Sequence, residues 1–98
     1  MGKASRDKGA AYERELVNAL RAMGLDAKRV PLSGATEYAR NDVEVEGRLS
    51  LSGEAKRRKQ LPKFFTEALD GADFAAFRQD RGETLIVLRL KTFANLLR

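Results

Sequence analysis

Asp42-Val43-Glu44-Val45-Glu46-Gly47-Arg48-Leu49-Ser50-Leu51-Ser52-Gly53-Glu54-Ala55-Lys56 is the stretch on which the fold turns. Residues 42–46 and 49–56 both alternate apolar and polar side chains, the repeat of a half-buried strand, and Gly47 stands between them where the chain must reverse. The stretch reads as a β-hairpin. If Val43, Val45, Leu49 and Leu51 share the core face, Val45 lies opposite Leu49 and Val43 opposite Leu51. Asp42 then faces Ser52, and Glu54 is its diagonal neighbour on the same face, roughly 7 Å away between backbones. Lys56 follows Glu54 by two residues and emerges from the same face.

Upstream, Ala10, Leu16, Val17, Leu20 and Met23 follow helical spacing from Gly9 onward, and Gly24 suits a left-handed cap. Residues 25–30 read as a short strand and residues 31–40 as a polar loop. Residues 1–8 carry Lys3, Arg6 and Lys8 and read as a frayed basic arm. Downstream, Pro62 at a first helical position and Gly71 as the stop bracket a second helix. Residues 72–78 form an edge-strand candidate, Asp80-Arg81-Gly82 a turn, residues 84–90 the most apolar strand, and residues 91–98 a terminal helix. Phe64, Phe65, Phe74, Phe77 and Phe93 sit at core spacings and read as packing. The order is α-β-β-β-α-β-β-α. It predicts one α/β domain over residues 9–98, a central mixed sheet of about five strands flanked by helices.

Composition bounds the chemistry. The 98 residues include no Cys and no His, which removes disulfides, thiol nucleophiles, conventional zinc sites and imidazole acid-base pairs. Only carboxylates, amines, guanidinium groups, hydroxyls and hard metal ions remain. A formal net charge of +5 favours a polyanionic partner. No apolar run approaches the roughly twenty residues of a membrane span, and no signal-peptide core opens the chain. Arg6 stands where N-myristoylation wants Ser or Thr. The expectation is a protein of the cytoplasm, or a virus-encoded one acting in the host cytoplasm, with neither a membrane partner nor an organic cofactor.

Glu13 is an acid on an apolar helix face, three residues before Leu16 and four before Val17. It either escapes at the edge of that face, or has a cationic partner such as a neighbour of Arg14, or meets a metal. The group Asp42, Glu54 and Lys56 is what metal-assisted phosphodiester hydrolysis requires: two carboxylates for a hard cation and an amine beside the attacking water. Taken singly, the same Asp and Glu-x-Lys also describe a strand face laced with ordinary ion pairs. Arg57, Arg58 and Lys59 prolong the strand and suit flanking phosphates.

Lys8-Gly9, Glu13-Arg14, Arg29, Ser33-Gly34, Asp42 and Glu54-Ala55-Lys56-Arg57-Arg58-Lys59, in that order, resemble the archaeal-type Holliday junction resolvases of the PD-(D/E)xK nuclease superfamily. The resemblance implies a restriction-endonuclease-like core and Mg2+-dependent cleavage of branched DNA, with Mn2+ as a substitute. It implies that Asp42, Glu54 and the Ala55 backbone carbonyl hold the metal, that Glu13 completes or supports the site, and that Lys56 serves the attacking water. It also implies that Ser33 serves the active site from its loop, that Lys8, Arg14, Arg29 and Ser33 lie on DNA, and that two copies form a homodimer. Asn41 stands where the motif's name has proline, and little chain follows the last strand for dimer contacts. Two other readings fit the same residues: a non-catalytic basic nucleic-acid-binding module, and a same-fold nuclease for linear, nicked or single-stranded DNA.

Overall fold

The computed structural model describes residues 3–30 and 41–98, with side chains from residue 9 onward. Its elements are α1 (Lys3–Ala22), β1 (Asp26–Arg29), β2 (Val43–Glu46), β3 (Ser50–Gly53), α2 (Lys63–Leu69), β4 (Phe74–Phe77), β5 (Leu85–Leu88) and α3 (Leu90–Leu97), in the order expected. Helix α1 starts at Lys3 instead of Gly9, because a glycine inside a helix costs only about 1 kcal/mol and does not stop it. The loop expected over residues 31–40 lies outside the described residues.

The chain divides into two compact units, Met1–Arg57 with Leu97–Arg98, and Arg58–Leu96. In the first, α1 packs on β1 and β2. Val17 and Leu20 of the helix and Ala27, Val43 and Val45 of the strands are buried. Each fully buried Val or Leu contributes about 1.5–3 kcal/mol. The helix ends as its glycine predicts: Gly24 has φ +88°, its N–H donates to the Arg21 carbonyl at 3.0 Å, and Leu25 N–H donates to Leu20 at 3.1 Å. This is a Schellman cap, and Leu20 and Leu25, the apolar pair that such caps bring together, are both buried. Arg21 Nε donates to the Ala27 carbonyl at 2.8 Å, tying the helix to β1.

Strands β1, β2 and β3 form an antiparallel sheet with β2 in the middle. The expected β2–β3 register is corrected. Val45 lies opposite Leu51 instead of Leu49, and Val43 opposite Gly53 instead of Leu51, a slide of two residues that preserves pleat parity. The expectation took Leu49 for a core residue, but Leu49 is 60% exposed, in a turn that Gly47 N–H closes on the Leu49 carbonyl at 3.0 Å. Leu51 is exposed as well, on an edge strand with no buried residue. The turn is seated against the chain end, where a Cβ on Gly47 would collide with the Leu97 carbonyl and Leu25 Cδ2, and Arg48 N–H donates to that same carbonyl.

In the second unit, Pro62 is the N-cap of α2 and not its first helical residue. Gly71, with φ +73°, follows the helix, and Arg89 holds the α2 end by donating from Nη2 to the Leu69 carbonyl at 2.7 Å and from Nη1 to Ala72 at 3.1 Å. Strands β4 and β5 pair antiparallel, Phe74 with Leu88 through Phe77 with Leu85. Arg81 (φ +62°) lies in their connection, and Gly82 N–H donates to the Gln79 carbonyl at 3.0 Å. Phe64, Phe65 and Phe77 stack edge-on or tilted, with centroids 5.0–5.4 Å apart.

A central mixed sheet of about five strands is therefore not what forms. The described residues contain two antiparallel sheets, one of three strands and one of two. Alternation reports which side of a strand is buried and not which strand it bonds to. Among the described residues every pairing joins two strands consecutive in sequence and runs antiparallel, β1 with β2, β2 with β3 and β4 with β5.

Candidate active site

Asp42 stands where three strands meet. Val30 N–H donates to its carbonyl at 2.9 Å, and its own N–H donates to the Gly53 carbonyl at 3.0 Å. Carrying the β2–β3 ladder one step past Val43 and Gly53 sets Asp42 across from Glu54, where the expected register had set Ser52. The side chain turns to the same strand, because Asp42 Oδ2 accepts the Ala55 backbone N–H at 3.0 Å. Beside it, Asn41 Nδ2 donates to Ser52 Oγ at 2.7 Å. An amide at position 41 thus makes a cross-strand bond that a proline could not make. Sequence reasoning passed over Asn41 as a departure from the motif, and no local signal in the sequence pointed to Ser52 as its partner.

The strand expected over residues 49–56 is shorter, ending at Gly53; beyond it Ala55 is buried, while Glu54 and Lys56 on either side are exposed. Lys56 Nζ lies 4.0 Å from Glu54 Oε2, with both side chains more than half exposed, so the pair is loose and solvent-screened. Arg57 ends the first unit and Arg58 and Lys59 begin the second, all three exposed. Arg14 is exposed on α1. Ser33 lies outside the described residues, and Lys8 is on α1 with its side chain likewise outside them.

Of the three alternatives for Glu13, the structure shows a cationic partner, and it comes from a strand. Arg29 Nε donates to Glu13 Oε1 at 3.0 Å, with the Glu13 side chain only 15% exposed. This charge-assisted bond joins α1 to the end of β1 and compensates a carboxylate that would otherwise be costly on that face. Arg29 pairs in register with Val43, one residue from Asp42. Glu13, Asp42 and Glu54 do not gather as a triad: among the described residues no three acidic side chains form a group able to hold a metal.

The donor chemistry nevertheless suits Mg2+. This ion takes only oxygen, keeps several waters and is ordinarily bound by one or two carboxylates together with substrate phosphates, not by an all-protein cage. Asp42, just before β2, and Glu54, just after β3, with the backbone carbonyl of Ala55 next to Glu54, are oxygen donors of that kind.

The model of the archaeal Holliday junction resolvase (hjc) family matches residues 4–97. The chain belongs to that family. Membership in the archaeal Holliday junction resolvases makes it a DNA-binding endonuclease of recombination and repair, and the resemblance drawn from residues 8 to 60 is confirmed over nearly the whole chain. No curated protein and no solved structure matches it. Among the described residues no helix is long and apolar enough to cross a membrane.

Proposed function

We propose that this resolvase-family chain is a Mg2+-dependent endonuclease that hydrolyses phosphodiester bonds in branched DNA from a restriction-endonuclease-like core. The observation that carries the proposal is the bond from Ala55 N–H to Asp42 Oδ2, which joins Asp42 to the Glu54-Ala55-Lys56 segment that follows β3. Asp42, Glu54 and the Ala55 carbonyl would hold the ion, with Mn2+ as a substitute. Once bound, the ion would supply positive charge for the phosphate and lower the pKa of the attacking water. Lys56 holds that water by an ammonium hydrogen bond and offsets charge on the phosphate. Lys8, Arg14, Arg29, Ser33, Arg57, Arg58 and Lys59 contact the DNA around the scissile bond, in keeping with the +5 net charge. Two coordinated cuts require two sites, so the acting form is a homodimer. It works in the cytoplasm, or in the host cytoplasm if virus-encoded.

The test is cleavage of a labelled four-way junction and of linear duplex, with Mg2+ and with chelator. The junction should be cut only with the ion. Asp42→Asn should lower the rate by at least about 100-fold, since even outer partners of a metal ligand are worth about 10–100-fold. Equal cutting of duplex supports the reading as a nuclease of linear, nicked or single-stranded DNA. The exposure of Glu54 favours a second reading, a non-catalytic nucleic-acid module. It predicts junction affinity that falls steeply with salt, without turnover and without cation binding.

A further inference from the structure

The β2–β3 hairpin has two registers open to it, and apolar burial on β3 does not decide between them. Sliding β3 by two residues would set Val45 opposite Leu49 and Val43 opposite Leu51 with the same pleat parity. Turn length does not decide either, since residues 47–49 form the turn in the register observed and residues 46–48 would form an equally long one after the slide. In the observed register Leu49 is 60% and Leu51 39% exposed, and β3 has no buried residue. A strand that buries neither face specifies its own register weakly.

What distinguishes the observed register is where it puts the turn. Gly47 is not there for its dihedrals, because the described glycines with positive φ are Gly24 and Gly71. It is there for space: a Cβ would meet the Leu97 carbonyl and Leu25 Cδ2, and both of those leucines are buried. Beside it, Arg48 N–H donates to the Leu97 carbonyl, and Arg48 Nη2 donates to the Arg98 carbonyl at 3.2 Å. Arg98 Nη1 donates in turn to the Met23 carbonyl at 3.1 Å, next to the Gly24 cap. Leu97 and Arg98 belong to the same compact unit as the hairpin. We infer that Leu97 and Arg98 are positioning residues: by receiving the turn at Gly47 and Arg48 they select the β2–β3 register, and with it the placement of Asp42 against the Glu54-Ala55-Lys56 segment. Asp42 N–H reaches the Gly53 carbonyl, and Asp42 Oδ2 reaches Ala55 N–H, in the register that sets Val43 opposite Gly53. A two-residue slide would carry Glu54 and Ala55 about 7 Å along the strand direction from these positions. The effect on cation binding rests on the nuclease reading above, whereas the choice of register does not.

The chain has no cysteine, so engineered pairs in the full chain report the register directly. Glu44→Cys with Ser52→Cys joins residues that face each other in the observed register, and Glu44→Cys with Ser50→Cys joins residues that would face each other after the slide. A disulfide needs a Cα separation of about 4.4–6.8 Å, which facing residues offer and diagonal ones do not. In a glutathione redox buffer the first pair should close and the second stay open. Adding Gly47→Ala, whose methyl group unseats the turn, should raise closure of the second pair relative to the first by about fivefold or more, the equivalent of overpacking. Mn2+ affinity of Gly47→Ala, read by calorimetry, should fall by more than about tenfold, and closing the disulfide of the first pair in that background should restore it. Arg48→Ala, which removes only the side-chain bond to the Arg98 carbonyl, should shift the pairs the same way by less, and it decides the question if Gly47→Ala does not fold. An unchanged preference in the variants that fold would overturn the inference, as would equal weakening of both pairs, the sign of a frayed hairpin that has not slid. If the wild type binds no Mn2+, the nuclease reading fails, and the disulfides still decide what sets the register.

Discussion

Ala55 donates its backbone N–H to Asp42 Oδ2 across 3.0 Å, so the carboxylate just before β2 is bonded to the segment after β3 that carries Glu54 and Lys56. One bond therefore serves both the stability of the hairpin and the geometry of the candidate site, and substitutions at Asp42 should separate the two.

Asp42→Asn keeps an oxygen acceptor for Ala55 and should leave the fold intact while abolishing cleavage. Asp42→Ala leaves a part-buried N–H without its partner and should cost about 1–3 kcal/mol as well as activity. Urea unfolding of both variants beside the junction assay checks the distinction; equal stabilities would show that the bond holds nothing.

Lys56→Met removes the ammonium beside Glu54 from a pair that is mostly solvated, so the folded state should lose less than about 1 kcal/mol. Single-turnover cleavage should fall by about 10²–10⁴-fold, the range of a positioned proton-transfer group. Mn2+ binding, measured on the same sample, should persist.

Gly47→Ala drives a methyl group into the Leu97 carbonyl and the Leu25 side chain, both residues of the buried core. Overpacking of this kind costs about 1–3 kcal/mol. The urea midpoint should fall accordingly, and an unchanged midpoint would mean that the turn is not seated against the chain end.

Asp26→Asn should stabilise the protein. Asp26 and Glu46 face each other across β1 and β2, and like charges directly opposite are unfavourable by about 0.2–1 kcal/mol. The gain should shrink as salt is raised, which thermal unfolding at two ionic strengths would read.

The candidate site was legible in part. Asp42, Glu54 and Lys56 stood out because period-two alternation over residues 42–46 and 49–56 set them on one face, whereas the ladder that forms runs only from Val43 to Glu46 and from Ser50 to Gly53 and stops short of all three. The off-pattern acid at position 13 was also visible, as a charge at helical spacing among apolar residues. Its partner was not, since Arg29 lies 16 residues away on another element and no spacing rule connects them. The cross-strand bond from Asn41 to Ser52 was hidden for a related reason: it crosses the ladder out of register and depends on the register that forms.

What the amino-acid order determined by itself was the succession of helices and strands, the Gly24 cap, the hairpin and the hard-oxygen character of its chemistry. Those properties arise between residues a few positions apart, where backbone dihedrals and side-chain period suffice. The tertiary structure decided the β2–β3 register, the separation into two antiparallel sheets and the pairing of Glu13 with Arg29. Each of these depends on close approach between distant parts of the chain, such as Leu97 against the turn at Gly47, and local pattern carries no information about which distant groups will meet.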